Sequence, residues 1–481
     1  MSTPYDEARA LIFRPSEAIT AFSSDLNRAS LVAVHAAGLV DAVQAGRLAG
    51  AIDRVAGEQR PDVWTDYLEV EARLVELVGD DASLIHLGRS RQDMFSAVCR
   101  DVLRTALLDV MHAVNTLRNQ LLALAGDHIE TVIPGYTHGL QAQPTTLAHY
   151  LLAICESFGR GFTRLSESYR RANQSPLGAG ALTTSRFDVD RGLLARLLGF
   201  DGVVDNSYGA NHVAPTDAVL EAGSAFATLA VQATQFAQDI HAGYLSPRPW
   251  LHITHGSLTG ISSMMPQKRN PSALETMREL AAVVIGRHGA LFASAHNLPT
   301  GMPDPREDSL TQLAGDETRI LLELTAQVVD ALEVDPDLAL AECRHDYATM
   351  TELADLLYAA ARVPFRTGHH FASDLTDYGR ARGLTPTEIG YEHAQDVYLA
   401  ATGSAFPLTA EQYESALDPR HFVATRAGQG GPQFAETRRM LTTQRSQLAE
   451  DTETLDNHRS RLAGAADLLI SRFQQLGSLA A

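Results

Sequence analysis

The chain has 481 residues, enough for two or three domains built on a large shared core. Hydrophobic residues make up 45% and charged residues 20%, the balance of an ordinary globular protein. The formal net charge of −19 argues against wholesale binding to nucleic acid or to an anionic membrane surface, but leaves room for a small anion held by local cations and amides.

The first ten residues carry Asp6, Glu7 and Arg9 and no apolar core, so they do not read as a signal peptide. Cys99, Cys155 and Cys343 are odd in number, far apart and without metal-type spacing. They point to a reducing, cytoplasmic setting without a disulfide framework. Leu103, Leu107, Val110, Val114, Leu117, Leu121 and Leu124 alternate spacings of four and three. That is the apolar seam of a long helix ending near Gly126. From Pro215 a second long helix follows, with Thr216 or Asp217 as its cap. Its alanines at 222, 225, 227, 230 and 233 let neighbouring helices approach closely. Within it, Ser224, Thr228, Gln232, Thr234, Gln235 and Gln238 mark a buried helix and not a membrane span. A third helix is expected from Ser272 to Ser294 and a fourth from Leu310 to Leu332. Strand-like alternation is scarce. The expectation is an all-α protein with a central helical bundle.

Four segments interrupt that bundle: 86–93, 132–144, 175–184 and 254–271. Their Gly, Pro, Ser, Thr, His and basic residues suit connections that carry function. The richest reads Gly260-Ile261-Ser262-Ser263-Met264-Met265-Pro266-Gln267-Lys268-Arg269-Asn270-Pro271. Asn-Pro closes the loop, because proline disfavours helix at the residue before it. The two hydroxyls and Lys268 can converge on an anion. The plainer alternative is a solvated loop with Ser272 as a helix cap. Gly178 and Gly180 form only a lone G-x-G with no preceding strand, which is weak evidence for a nucleotide fold. No H-E-x-x-H or clustered Cys/His spacing is present, so no metal and no cofactor are expected.

The serine segment resembles the signature loop of the aspartase/fumarase superfamily, S-S-x-M-P-x-K-x-N-P. Its Pro-Gln-Lys wording, with Glu275 downstream, is most similar to the argininosuccinate lyase branch. Three further segments resemble that branch in the same order. They are His86-Leu87-Gly88-Arg89-Ser90-Arg91-Gln92-Asp93, then Gly135-Tyr136-Thr137-His138 with Gln141-Ala142-Gln143-Pro144, then Pro176-Leu177-Gly178-Ala179-Gly180-Ala181. Weaker similarity runs from about Phe22 to Pro432.

The resemblance implies a three-domain all-α fold, expected at 1–90, 91–343 and 344–481, with the long bundle in the middle. It implies a homotetramer whose active sites combine segments from three subunits. It implies C–N cleavage of an N-substituted aspartate to fumarate and an amine, with Ser262 as base. Lys268 and a His138–Glu275 pair complete the expected catalytic set. Ser90, Arg91, Gln92, Thr137, Gln143, Ser263 and Asn270 are the expected substrate contacts. Such donors suit the chemistry, since removing a proton beside a carboxylate creates a doubly charged aci-form that needs positioned cations and hydrogen-bond donors. Read alone, His138 is a surface histidine, Glu275 a helix N-terminal acid, and Arg89 and Arg91 ordinary surface charges. Beside Ser90, the two arginines make a carboxylate site.

Departures from the branch concern substrate identity. Gln92 replaces an asparagine that in the branch helps hold the succinyl part. Leu298-Pro299 leads to Thr300-Gly301-Met302-Pro303-Asp304-Pro305, where the branch has a Tyr-Asn-Lys-Asp-like run. The segment Tyr208-Gly209-Ala210-Asn211-His212 to Asp217 is about two residues longer than usual and lacks an arginine. The expected activity is therefore elimination with an altered amine. Argininosuccinate lyase itself, another superfamily lyase or cycloisomerase, and a crystallin-like structural protein are the alternatives.

Overall fold

A computed structural model describes residues 17–58, 67–246, 248–254, 256–301 and 308–478. The first ten residues, and residues 302–305 of the divergent proline-rich run, lie outside these. The described residues form seventeen α-helices and eight short strands, the longest of seven residues. The fold is all-α, as the helical periodicity requires.

The first unit packs α1 (Glu17–Ala36), α2 (Ala42–Gly57) and α3 (Tyr67–Val78) around Leu26, Leu31, Leu48, Ile52 and Leu74. Asp41 and Gln44 open α2 with a reciprocal capping box. A 3-10 segment, Gly79–His86, then leads to α4 (Arg91–Asp127), the first bundle helix. The seam behaves as the spacing predicts. Leu103, Leu107, Val110, Val114, Leu117 and Leu121 are all at most 2% exposed.

After α4 the chain forms a hairpin, β1 (Val132–Thr137) with β2 (Leu140–Thr146), and returns as α5 (Leu147–Ala172). Short helices α6 (Arg191–Leu197) and α7 (Ser207–His212) precede α8 (Ala214–Gly243). Ala222, Ala230 and Ala233 are fully buried, where their small size admits the neighbouring helices. The expected cap of α8 is not formed. Val213 occupies that position without a side-chain bond, and Pro215 sits in the first turn, where its missing N–H leaves no helical bond unmade. A second, minimal hairpin pairs Gly260–Ile261 with Arg269–Asn270. It is followed by α9 (Ser272–Ala295) and α10 (Asp308–Asp330), which complete the bundle. Ser272 is the first residue of α9, with Pro271 at the cap position and no side-chain cap.

The C-terminal unit comprises α11 (Pro336–His345), α12 (Met350–Ala361), α13 (Phe365–Arg380), α14 (Tyr391–Thr402), α15 (Ala410–Leu417) and α16 (Pro419–Thr425). Its own core gathers Leu353, Phe371, Leu375, Tyr398 and Tyr413. The last helix, α17 (Phe434–Gly477), has 44 residues, about 66 Å at the usual rise. Leu441, Leu448 and Leu455 lie in the bundle core, while Leu469, Phe473 and Leu476 lie in the first unit's core. The buried ion pair of Arg118 with Asp451 clamps it to α4. Among the described residues, no helix is long and apolar enough to cross a membrane.

Candidate active site

The first segment is organised by its own helix start. Ser90 caps α4: its Oγ accepts the Gln92 amide at 3.2 Å, and its backbone N–H donates to Asp93 Oδ2 at 3.4 Å. Used as an acceptor, the Ser90 hydroxyl keeps its proton for another partner. Arg91 is exposed at the first helical position and Gln92 is half-buried beside it.

Asp93 is fully buried. It accepts the amides of Gly180 and Ala181, both at 2.9 Å, and the Asn211 side-chain amide at 2.8 Å. One carboxylate thereby stitches three distant segments together. It also holds a backbone that ordinary residues avoid, since Gly180 and Ala181 have φ of +56° and +69°. Any Cβ at Gly180 would lie 2.5 Å from the Thr184 carbonyl oxygen. Asp93 belongs to the 86–93 motif, yet it is not one of the expected site residues. Its place as an acidic third helical residue behind a serine cap was the available signal.

Arg89 does not form the carboxylate site expected of it. Its guanidinium turns into the first unit and donates to Ser30 Oγ at 2.7 Å, Asn27 Oδ1 at 3.0 Å and Tyr67 Oη at 3.1 Å. The acceptors come from α1 and α3, whose packing next to this turn could not be read from the motif.

Thr137 and His138 stand exposed at the tip of the β1–β2 hairpin. His138 and Gly139 have φ of +54° and +80°, the two positive values a tight type I′ turn demands. The turn geometry therefore presents the imidazole to the outside. Gln143 on β2 donates to Thr351 Oγ1 at 3.4 Å, and Gln141 donates to the Glu342 carbonyl at 2.9 Å. These bonds seat the hairpin on the C-terminal unit. Tyr136, next to Thr137, has its phenol pushed up to about 12 by burial and by Glu342.

The serine hairpin carries Ser262, Ser263, Lys268 and Asn270. Ser262 Oγ accepts the amides of Met265 at 3.0 Å and Met264 at 3.3 Å. Lys268 N–H donates to the Met265 carbonyl at 3.0 Å, which folds the loop back on itself. Ser262 is half-buried, while Ser263 and Lys268 are exposed. Three apolar residues of this loop also face solvent, Ile261 at 78%, Met264 at 87% and Met265 at 41% exposure. Glu275 lies exposed in the first turn of α9, directly after the hairpin.

Within the single chain, the structure joins the Ser90 segment to the Gly180 segment and to α7. His138 and Glu275 sit on separate elements and form no hydrogen bond or ion pair with each other. The divergent segments also meet. Tyr208 on α7 and Thr300 share a hydroxyl–hydroxyl bond of 2.9 Å, and the Tyr208 ring lies 5.5 Å from that of His212. The sequence showed α7 only as a departure from the family pattern. Among the described residues, no group of three or more His, Cys, Asp or Glu side chains could hold a metal ion.

Residues 55–286 match the lyase family and residues 347–424 match the argininosuccinate lyase C-terminal family. Argininosuccinate lyase 1 of Shouchella clausii is 31% identical over 97% of this chain and 96% of its own. The argininosuccinate lyase of Haloarcula marismortui is 34% identical over 96% of this chain and 92% of its own. Among solved structures, an EDDS lyase variant with bound fumarate superposes with a TM-score of 0.90 at 28% identity, covering 98% of this chain and 95% of that one. A class II fumarase from Schistosoma mansoni, at 15% identity and a TM-score of 0.64, shares the fold. The chain belongs to the argininosuccinate lyase branch of the aspartase/fumarase superfamily.

Proposed function

We propose that this protein splits an N-substituted aspartate other than argininosuccinate into fumarate and an amine, with Ser262 as the base. The class, a fumarate-releasing carbon–nitrogen lyase, follows from family membership. The observation that carries the catalytic assignment is the pair of amides on Ser262 Oγ. A serine hydroxyl is a weak base in water. Two fixed N–H donors aimed at its oxygen stabilise the oxyanion form, as preorganised dipoles do elsewhere.

In the forward direction Ser262 Oγ takes the proton from the carbon beside a carboxylate. The electron pair spreads onto that carboxylate, which becomes the aci-form. Lys268, Asn270, Ser263, Thr137 and Ser90 are the donors that meet the substrate's carboxylates. The pair then forms the double bond as the C–N bond breaks. The departing nitrogen takes a proton for which His138, oriented by Glu275, is the candidate source. Arg91, Gln92 and Gln143 complete the substrate contacts in this reading.

In this reading His138 and Glu275, not paired with each other within one chain, meet between copies of the chain in a homotetramer with shared sites. The bundle surface suits such an assembly. Val231 on α8, Val283, Ile285 and Phe292 on α9, and Ile320 on α10 are exposed apolar side chains on one chain. Exposed apolar side chains on three bundle helices are compatible with burial against further copies of the chain.

Structural likeness to EDDS lyase, together with the changed Tyr208–Thr300 region, favours an altered amine. The relatives named argininosuccinate lyase favour the second reading, argininosuccinate itself. Incubation of the enzyme with fumarate and an amine panel, followed by the loss of fumarate's ultraviolet absorbance, separates the two. Consumption of fumarate with a simple amine and no cleavage of argininosuccinate supports the first. Rapid cleavage of argininosuccinate overturns it. No turnover of either kind reopens the crystallin-like structural reading.

A further inference from the structure

We propose that Arg89 is a positioning residue: clasped by Asn27, Ser30 and Tyr67, it fixes the turn that aims Ser90 and Arg91 at the substrate's carboxylate. The inference rests on the fumarate-forming reading above, in which Ser90 and Arg91 are substrate contacts.

Ser90 follows directly on a tight turn. The Arg89 amide donates to the His86 carbonyl at 2.9 Å. Leu87 has φ −59° and ψ 117°, and Gly88 has φ +78°. These are the dihedrals of a type II turn, whose third position favours glycine. The last residue of the turn is Arg89, so its orientation sets that of Ser90, the cap of α4. One face of the turn is packed by the segment 185–189, since a Cβ at Gly88 would lie 3.3 Å from Ser185 Oγ and from Val189 Cγ2.

The side chain of Arg89 holds the other face. Ser30 Oγ donates to the Leu26 carbonyl at 2.8 Å and so presents a lone pair to Arg89 Nη1 at 2.7 Å. Nη2 donates to Asn27 Oδ1 at 3.0 Å and to Tyr67 Oη at 3.1 Å. The Tyr67 hydroxyl accepts from Arg89 and keeps its own hydrogen for His86 Nε2, its second partner. His86 is neutral near pH 7, because burial and the Arg89 charge lower its pKa to about 3, so Nε2 can accept. Both ends of the turn, His86 and Arg89, are thus pinned to one phenol. A guanidinium carries its donors in a rigid plane, so acceptors on α1 and α3 fix its place as the single ammonium of a lysine could not. The first unit thereby reaches the site through Arg89, while Arg91 stays at the surface.

The test uses the full-length protein and measures fumarate affinity by calorimetric titration, the kcat for addition of an accepted amine, and unfolding in urea. Tyr67→Phe keeps the ring and removes only the hydroxyl. It is expected to raise the Kd for fumarate about three- to tenfold, the size of one lost hydrogen bond. Its kcat should stay within about twofold, because a contact to a carboxylate already present in the ground state binds substrate and transition state alike. Arg89→Lys keeps the charge and is expected to weaken fumarate binding at least as much. Leu48→Ala, in the same unit's core but away from the turn, controls for stability alone, and should lower the urea midpoint without moving the Kd. If Arg89→Lys fails to fold, Tyr67→Phe still decides. An unmoved Kd in folded Tyr67→Phe, parental affinity in Arg89→Lys, or an equal rise in Leu48→Ala overturns the inference alone. A wild-type protein that does not bind fumarate overturns the fumarate-forming reading, and this inference with it.

Discussion

The Asp93 carboxylate accepts the backbone amide of Ala181 at 2.9 Å, across 88 positions of sequence. That bond holds a non-glycine residue at a φ of +69°, which the backbone would not adopt unaided. Asp93→Ala leaves the Gly180 and Ala181 amides and the Asn211 side chain without their acceptor. Each unpaired buried donor costs about 1–3 kcal/mol. We expect a loss of about 2–5 kcal/mol in urea unfolding, together with weakened fumarate binding because the Ser90 and Gly180 segments separate. A variant as stable as the parent would show that the loop is held by other contacts.

His86 gives a pH dependence of known sign. Burial, and then the Arg89 charge, lower its pKa to about 3, against about 6.5 for the unfolded chain. Between these values the unfolded state binds the extra proton, so the contribution is complete above about pH 6.5 and is lost as pH falls towards 3. The slope is at most about 1.4 kcal/mol per pH unit for one proton. Unfolding of the parent and of His86→Gln at pH 7.5 and 5 checks this. The parent should lose more stability than the variant on acidification. Equal losses would contradict it.

Lys268 is expected to meet a carboxylate already present in the bound substrate. Lys268→Ala should therefore weaken fumarate binding as well as slow turnover. A charge-assisted hydrogen bond of about 1.5–3 kcal/mol corresponds to about 10- to 100-fold in Kd. Calorimetric titration with fumarate measures it directly, and an unchanged Kd would remove Lys268 from the binding site.

His138 and Glu275 do not meet within one chain. If subunits share each site, inactive His138→Asn and inactive Ser262→Ala proteins should regain activity when unfolded together and refolded as a mixture. Hybrid assemblies then contain some sites with both native residues. Refolded mixtures that remain as inactive as either parent would argue for sites built from one chain.

The bundle was legible in the sequence because burial there depends on local periodicity. The spacing from Leu103 to Leu121 marks a single face, and that face is fully buried. The serine loop was legible because its residues are contiguous. What remained hidden depends on contacts between segments far apart. Arg89 looked like a substrate arginine, but its acceptors are on α1 and α3. Thr216 and Asp217 have the chemistry of caps, but α8 follows directly on α7 with Val213 at the cap position, three residues before Thr216. Nothing in the local pattern of α17 shows that Leu455 and Leu469 enter different cores. The Tyr208–Thr300 bond was anticipated only as two separate departures from the family pattern.

The central claim is that Ser262, with its oxygen held by the amides of Met264 and Met265, is the base. The most direct measurement is the turnover of Ser262→Ala in the addition of an accepted amine to fumarate, with fumarate affinity measured on the same protein. The side chain is small and lies on a loop, so no core cavity is created. General-base catalysis is worth about 100- to 10,000-fold. The account predicts a fall in kcat of at least that order with an unchanged fold and a nearly unchanged Kd for fumarate. A Ser262→Ala protein that turns over at close to the parental rate would contradict it.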